Sequence, residues 1–191
     1  MKRIIIFASG SGSNAENIIS YFETKPNISV DLVLTNKTNA GVIKRCNALG
    51  VSALYFNRVA FYTADIVLRL LKDRKPDLIV LAGFLWKFPE HLLDIFPNKV
   101  INIHPALLPK YGGKGMYGKH VHQAVVDNKE DQTGITIHYV NENYDEGQII
   151  FQKHCQVLAT DTAEDVANKI HGLEMAYFPK VIETLLNEQK N

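Results

Sequence analysis

Short apolar, β-branched runs alternate along the chain with segments whose apolar positions recur every three to four residues. Runs at Ile4 to Ala8, Ser29 to Thr35, Ser52 to Phe56, Leu78 to Ala82 and Val100 to Ile103 read as strands, with amphipathic helices between them. IIIF and LIVLA are apolar at every position, as central parallel strands covered on both faces must be. Strand–helix–strand units joined by right-handed crossovers predict an α/β fold with a doubly wound, mostly parallel, Rossmann-like sheet. From Thr133 the period changes to two: Ile135, Ile137 and Tyr139 alternate with Thr136, His138 and Val140, and a further extended run covers Gln148 to Leu158. These are late strands, one of them a candidate for antiparallel pairing. A long C-terminal helix opens at Thr162, with Asp165 as capping-box partner and Val166, Ile170 and Leu173 on one stripe; Pro179 is expected to interrupt it. The long irregular segment is Pro105 to Lys119, whose KYGGKGMYGK carries four glycines and reads as a mobile loop over a site.

With 46% hydrophobic residues among 191 positions, the chain can bury a sizeable core, and its length fits one domain over 1–191. Formal net charge is +1, with lysines and arginines scattered rather than gathered into a stripe, which argues against nucleic acid and acidic membrane surfaces as partners. Small-molecule substrates are expected, and a homodimer is left open. The apolar run after Met1-Lys2-Arg3 is too short for a signal-peptide core and leads into a glycine-rich turn, so it reads as a first strand. The longest apolar stretch, around Leu78 to Trp86, is far below membrane-spanning length. Cys46 and Cys155 stand isolated in sequence, which points to a reducing, cytoplasmic setting.

Three motifs carry chemistry. Ser9-Gly10-Ser11-Gly12-Ser13-Asn14-Ala15 lies between the first strand and the first helix. Backbone N–H groups at a helix start, approached closely through glycine, make an anion site. The same residues fit a dinucleotide fingerprint, but the second strand ends Leu34-Thr35-Asn36-Lys37 without the acid that a ribose requires. Asn102-Ile103-His104-Pro105 closes the fifth strand; period two puts Asn102 and His104 on one face at its carboxyl end, where an amide and an imidazole can stabilise an oxyanion and manage a proton. Asn141 to Gly147 is a polar turn in which Asp145, if it reaches His104, would orient the ring and favour its charged form. His120 and His122, with His138 and His154 on late strands, raise the thought of zinc, but their spacing matches no recognised ligand set, and no metal is expected.

These residues resemble the folate-dependent formyltransferases, and the resemblance runs over essentially the whole chain. It rests on SGSGSN after strand one, LAGF at Leu81 to Phe84, Asn102 to His104 continued by Pro105-Ala106-Leu107-Leu108-Pro109, and the Asp145 turn. The amino-terminal loop brings the chain nearest to members acting on glycinamide ribonucleotide. The resemblance implies transfer of a formyl group from 10-formyltetrahydrofolate to that substrate's amine in purine biosynthesis, with Asn102, His104 and Asp145 catalytic. It also implies that Gly12, Ser13 and Asn14 hold the substrate phosphate, with His171 and Glu174 near its ribose. Leu85, Trp86, Lys87 and Phe88 would line the folate pocket with Asn102, Asn141, Glu142, Asn143 and Tyr144, and Arg58 would meet the charged tail. Residues 1–100 would form the substrate-binding half and 101–191 the catalytic and folate-binding half. Two departures stand out: Trp86 replaces a residue that is often basic in relatives, and Lys110 to Lys119 is longer and richer in glycine. The alternatives are transfer to another amine, such as an amino sugar nucleotide, and a non-catalytic phosphate- or NAD-binding module.

Overall fold

A computed structural model of the chain describes residues 1–188; positions 189–191 of the expected domain lie outside the described residues. In order, β1 (Lys2–Phe7), α1 (Ser13–Glu23), β2 (Ile28–Thr35), α2 (Gly41–Ala48), β3 (Ala53–Tyr55), α3 (Arg58–Tyr62), α4 (Ile66–Arg74), β4 (Leu78–Leu81), α5 (Glu90–Ile95) and β5 (Val100–His104) alternate as the sequence pattern predicts. They are followed by α6 (Lys119–Asp127), β6 (Gln132–Tyr139), β7 (Ile149–Gln156) and α7 (Ala163–Glu188). The seven strands form one sheet in the order β3-β2-β1-β4-β5-β6-β7. β1 to β5 pair in parallel, while β6 is antiparallel to both β5 and β7, so β6 alone in the sheet runs against the rest.

Both faces of the central strands are buried, which is why their sequences show no alternation of polarity. Ile4, Ile6, Leu78, Val80, Ile101 and Ile103 join α1, α2, α6 and α7 in one core. Ile5, Phe7, Leu32, Leu34, Ile79 and Val100 face α3, α4 and α5 in the other. That second core is aromatic. Phe7 meets Phe84 and Phe88 edge-on at centroid distances of 5.3 and 5.5 Å, and Trp86 meets Phe56 edge-on at 6.0 Å. Such pairs each add roughly 0.5–1.5 kcal/mol beyond simple burial. The segment following β4 is thereby held against the sheet and presents a firm apolar wall at the strands' carboxyl ends.

The capping box forms as expected. Thr162 Oγ1 accepts the Asp165 N–H at 3.2 Å, and Asp165 Oδ2 accepts the Thr162 N–H at 2.9 Å. Pro179, by contrast, does not interrupt α7, which continues through it to Glu188. A proline removes one N–H and frees the carbonyl four residues earlier, here that of Met175. Asn17 Nδ2 on α1 donates to that carbonyl at 2.9 Å, so the break in the ladder is made good from a neighbouring helix. Pro179 is itself buried, and α7 packs against α1.

Candidate active site

The loop after β1 is built on close approach. Gly12 has φ 82°, and a Cβ there would lie 2.5 Å from Val42, so α2 can pack against the turn only if residue 12 is glycine. Val42 N–H donates to the Gly10 carbonyl at 3.2 Å, and Arg45 Nε donates to that of Ser11 at 3.0 Å. Arg45 also pairs with Glu16. On the other side, the buried Ser9 hydroxyl accepts the Leu85 N–H at 2.9 Å, tying this turn to the segment after β4. Both turns flank one cavity of about 610 Å³, within the range typical of small-ligand sites.

Asn102, His104, Asp145, Asn14, His171 and Glu174 all line that cavity. Asn14 Nδ2 donates to Glu174 Oε2 at 2.9 Å, and the Asn14 Oδ1 is buried without a partner. Burial raises the Glu174 carboxyl above its ordinary range, against the smaller opposing pulls of Asn14 and His171. Gly12 and Ser13 lie just beyond the cavity lining; Gly12 is buried beneath Val42.

His104 is 3% exposed. Its Nε2 lies 2.8 Å from the Tyr111 carbonyl, and its Nδ1 lies 3.5 Å from Asp145 Oδ2. A carbonyl can only accept, so Nε2 carries a hydrogen and Nδ1 is the atom at which a proton comes and goes. Burial lowers the His104 pKa below its ordinary value near 6.5, outweighing the attraction of Asp145 and the Tyr111 hydrogen bond. Desolvation of a buried imidazolium thus favours the neutral ring in the free protein, against the pull of one carboxylate at 3.5 Å.

Asp145 sits at φ 57°, a left-handed conformation that aspartate tolerates in turns. Burial alone would raise its pKa, but the His138 ring, His104 and the Gly113 N–H together bring it below the ordinary carboxylate value, so it is ionised at neutral pH. Gly113 N–H donates to Asp145 Oδ2 at 3.0 Å from a residue with φ 97°. The glycine-rich segment thus enters the site by its backbone, and residues Gly113 to Gly118 line the cavity.

Two histidines gain a place in the site that sequence reasoning did not give them. His138 faces Asn102 across the β5–β6 pair; its Nδ1 donates to the Tyr139 carbonyl at 2.8 Å, and its Nε2 lies 3.1 Å from Asn102 Nδ2 and 3.6 Å from Asp145 Oδ1. An Asn102 N–H points at Asp145 Oδ1, a looser 3.5 Å away. His122 on α6 is buried on the cavity wall with no partner for Nδ1, and burial lowers its pKa, with His104 adding to the effect. Period two on β6 hints at His138, but only the strand pairing identifies its neighbour. Among the described residues no three His, Cys, Asp or Glu side chains are grouped to hold a metal ion.

A family model described as formyl transferase matches residues 2–182. The chain is also 36% identical over 193 residues to the phosphoribosylglycinamide formyltransferase of Bacillus subtilis, covering 97% of this chain and 95% of that one. This chain belongs to the formyl transferase family. It spans 66% and 62% of the length of two chloroplastic phosphoribosylglycinamide formyltransferases, from Arabidopsis thaliana and Vigna unguiculata, at 35% identity to each. A solved phosphoribosylglycinamide formyltransferase from Bacillus halodurans matches the fold with a TM-score of 0.88 at 33% identity, covering 100% of this chain and 98% of that one.

In this formyl transferase, a smaller recess adjoins the main cavity through Phe84, Asn102, Tyr144 and Asp145. Trp86, Lys87, Phe88, Asn141 and Asn143 line it, while Leu85 lines the main cavity. Trp86 is both core and wall. Arg58 lies outside the recess, its guanidinium 4.9 Å from the Trp86 ring centroid and 5.7 Å from that of Tyr62. Glu142 faces a separate surface hollow with Glu90 and Asp94.

Proposed function

We propose that this formyl transferase moves the formyl group of 10-formyltetrahydrofolate onto the amine of glycinamide ribonucleotide, as a step of purine biosynthesis. The observation that carries the reading is the convergence of Asn102, His104 and Asp145 with Asn14, His171 and Glu174 on one cavity. Asn14 Oδ1 and the Glu174 carboxylate supply acceptors for ribose hydroxyls, and the N–H groups at the start of α1 supply donors for the phosphate. The apolar wall from Phe84 to Phe88 suits a flat pterin-like ring. Two free thiols, Cys46 and Cys155, accord with action in the reducing cytoplasm.

The neutral substrate amine attacks the formyl carbon, a C–N bond forms and the carbonyl oxygen becomes anionic. Asn102 meets that oxygen with the N–H that Asp145 holds only loosely. His104, neutral beforehand, accepts at Nδ1 the proton released by the new ammonium and passes it to the folate nitrogen as the old C–N bond breaks. Ionised Asp145 stabilises the transient imidazolium. No proton enters from solvent and none is left behind.

The reading is tested by steady-state turnover with 10-formyltetrahydrofolate against glycinamide ribonucleotide, an amino sugar nucleotide and other small amines. Formylation of glycinamide ribonucleotide with kcat/KM well above that of the other amines supports it. Transfer only to the nucleotide sugar, or binding without transfer, sinks it.

A further inference from the structure

Tyr111 holds a left-handed backbone conformation with φ 58°, which a non-glycine residue keeps only when its surroundings fix it. What fixes it lies on the side away from the reacting centre. Tyr111 Oη donates to Glu130 Oε1 at 2.8 Å, and Lys110 Nζ donates to both Glu130 oxygens at 3.0 Å. These bonds hold the Glu130 carboxyl below the ordinary range, Lys110 contributing most and Tyr111 next. Glu130 follows α6 and does not line the cavity. The segment it anchors, however, grips both members of the proton-handling pair: the Tyr111 carbonyl takes the His104 Nε2 hydrogen, and Gly113 N–H takes Asp145.

We propose that Glu130 is a positioning residue for His104, acting through the Tyr111 side chain to hold the carbonyl that fixes the His104 tautomer. This rests on the reading of His104 as the group that moves the proton. Only with Nε2 already hydrogen-bonded to a carbonyl is the lone pair confined to Nδ1, on the side of Asp145. If Tyr111 relaxed toward an ordinary right-handed or extended backbone, its peptide plane would turn, Nε2 would lose its acceptor, and neutral His104 could carry its hydrogen on either nitrogen. A ring with the hydrogen on Nδ1 cannot accept the amine proton there.

The test is nitrogen-15 NMR of the histidine rings in the intact protein, with the His104 signals assigned by their loss in His104→Gln. In the wild type, neutral His104 should show a protonated Nε2 and an unprotonated Nδ1. In Glu130→Gln and in Tyr111→Phe the two nitrogens should move toward each other, reporting mixed tautomers. Both variants should also lower kcat by roughly ten- to a hundredfold with KM for the amine little changed, as a small misplacement of a reacting group does. Their double variant should be no worse than the poorer single one. A pure Nε2–H tautomer persisting in either folded variant overturns the proposal, even if kcat falls. So does a wild-type His104 with its hydrogen on Nδ1. Tyr111→Phe decides the matter alone should Glu130→Gln not fold. The NMR readout needs no turnover, so a tautomer shift in a protein that formylates nothing would count against the assigned reaction and not against the anchor.

Discussion

Each nitrogen of His104 faces a different group, and the division of labour between them follows from what those groups can do. The Tyr111 carbonyl occupies Nε2 at 2.8 Å, and Asp145 stands 3.5 Å from Nδ1. If Nδ1 handles the proton and Asp145 steadies the charged ring, His104→Ala and Asp145→Asn should each cut kcat by roughly a hundredfold to ten-thousandfold. The double variant, measured in the same assay, should be little worse than the poorer single variant, because the two residues act as a unit. Fully multiplicative losses would mean separate roles. Asn102 and His104 could be placed on one face of β5 from period two alone. That burial would outweigh the carboxylate at His104 could not, since desolvation depends on everything packed around the ring.

At the scale of elements, α7 carries Glu174 and His171 to the cavity, and it does so as one continuous helix in spite of Pro179. The carbonyl of Met175 is satisfied by Asn17 rather than by residue 179. Asn17→Ala should therefore cost about 1–2 kcal/mol, the usual consequence of leaving an acceptor shielded from water unpaired. In a Pro179→Ala background the same change should cost much less, because the N–H of residue 179 then reaches Met175. Urea denaturation of the four proteins checks this: the midpoint should fall in the Asn17→Ala single variant and hardly respond to that change once Pro179 is replaced, with the slope constant throughout. Equal losses in both backgrounds would detach Asn17 from the proline. The capping box at Thr162 and Asp165 is a local signal and was legible; the rescue of Pro179 is not local, and a helix break was the reasonable expectation without α1.

For the whole molecule, burying titratable groups makes stability depend on pH with a definite sign. His104 and His122 have folded pKa values below the ordinary 6.5, burial being the main cause in both. The folded state then binds fewer protons than the unfolded chain, so stability is full above about 6.5 and falls as pH drops through that value toward the folded pKa values. Asp145, also depressed, extends the loss at lower pH as its carboxylate is protonated; Glu174, raised, acts the other way, favouring the folded state in acid. Thermal unfolding between pH 8 and pH 5 should show Tm falling below pH 6.5, and His122→Asn, which cannot take up a proton, should flatten part of that fall. A Tm unchanged over this range would contradict the burial of both rings. Taken by itself, the sequence determined what arises among residues a few positions apart: strand and helix periods, the tight Gly12 turn, the cap at Thr162, and the delivery of Asn102 and His104 to a strand's carboxyl end. Only the tertiary structure decided which of these meet. Asn14 bonds to Glu174 across 160 positions, His138 comes to face Asn102 because β6 pairs with β5, and Tyr111 turns its carbonyl to His104 under the hold of Glu130. Strand order and the burial of single polar side chains such as His104 are properties of the packed chain as a whole, and no local pattern encodes them.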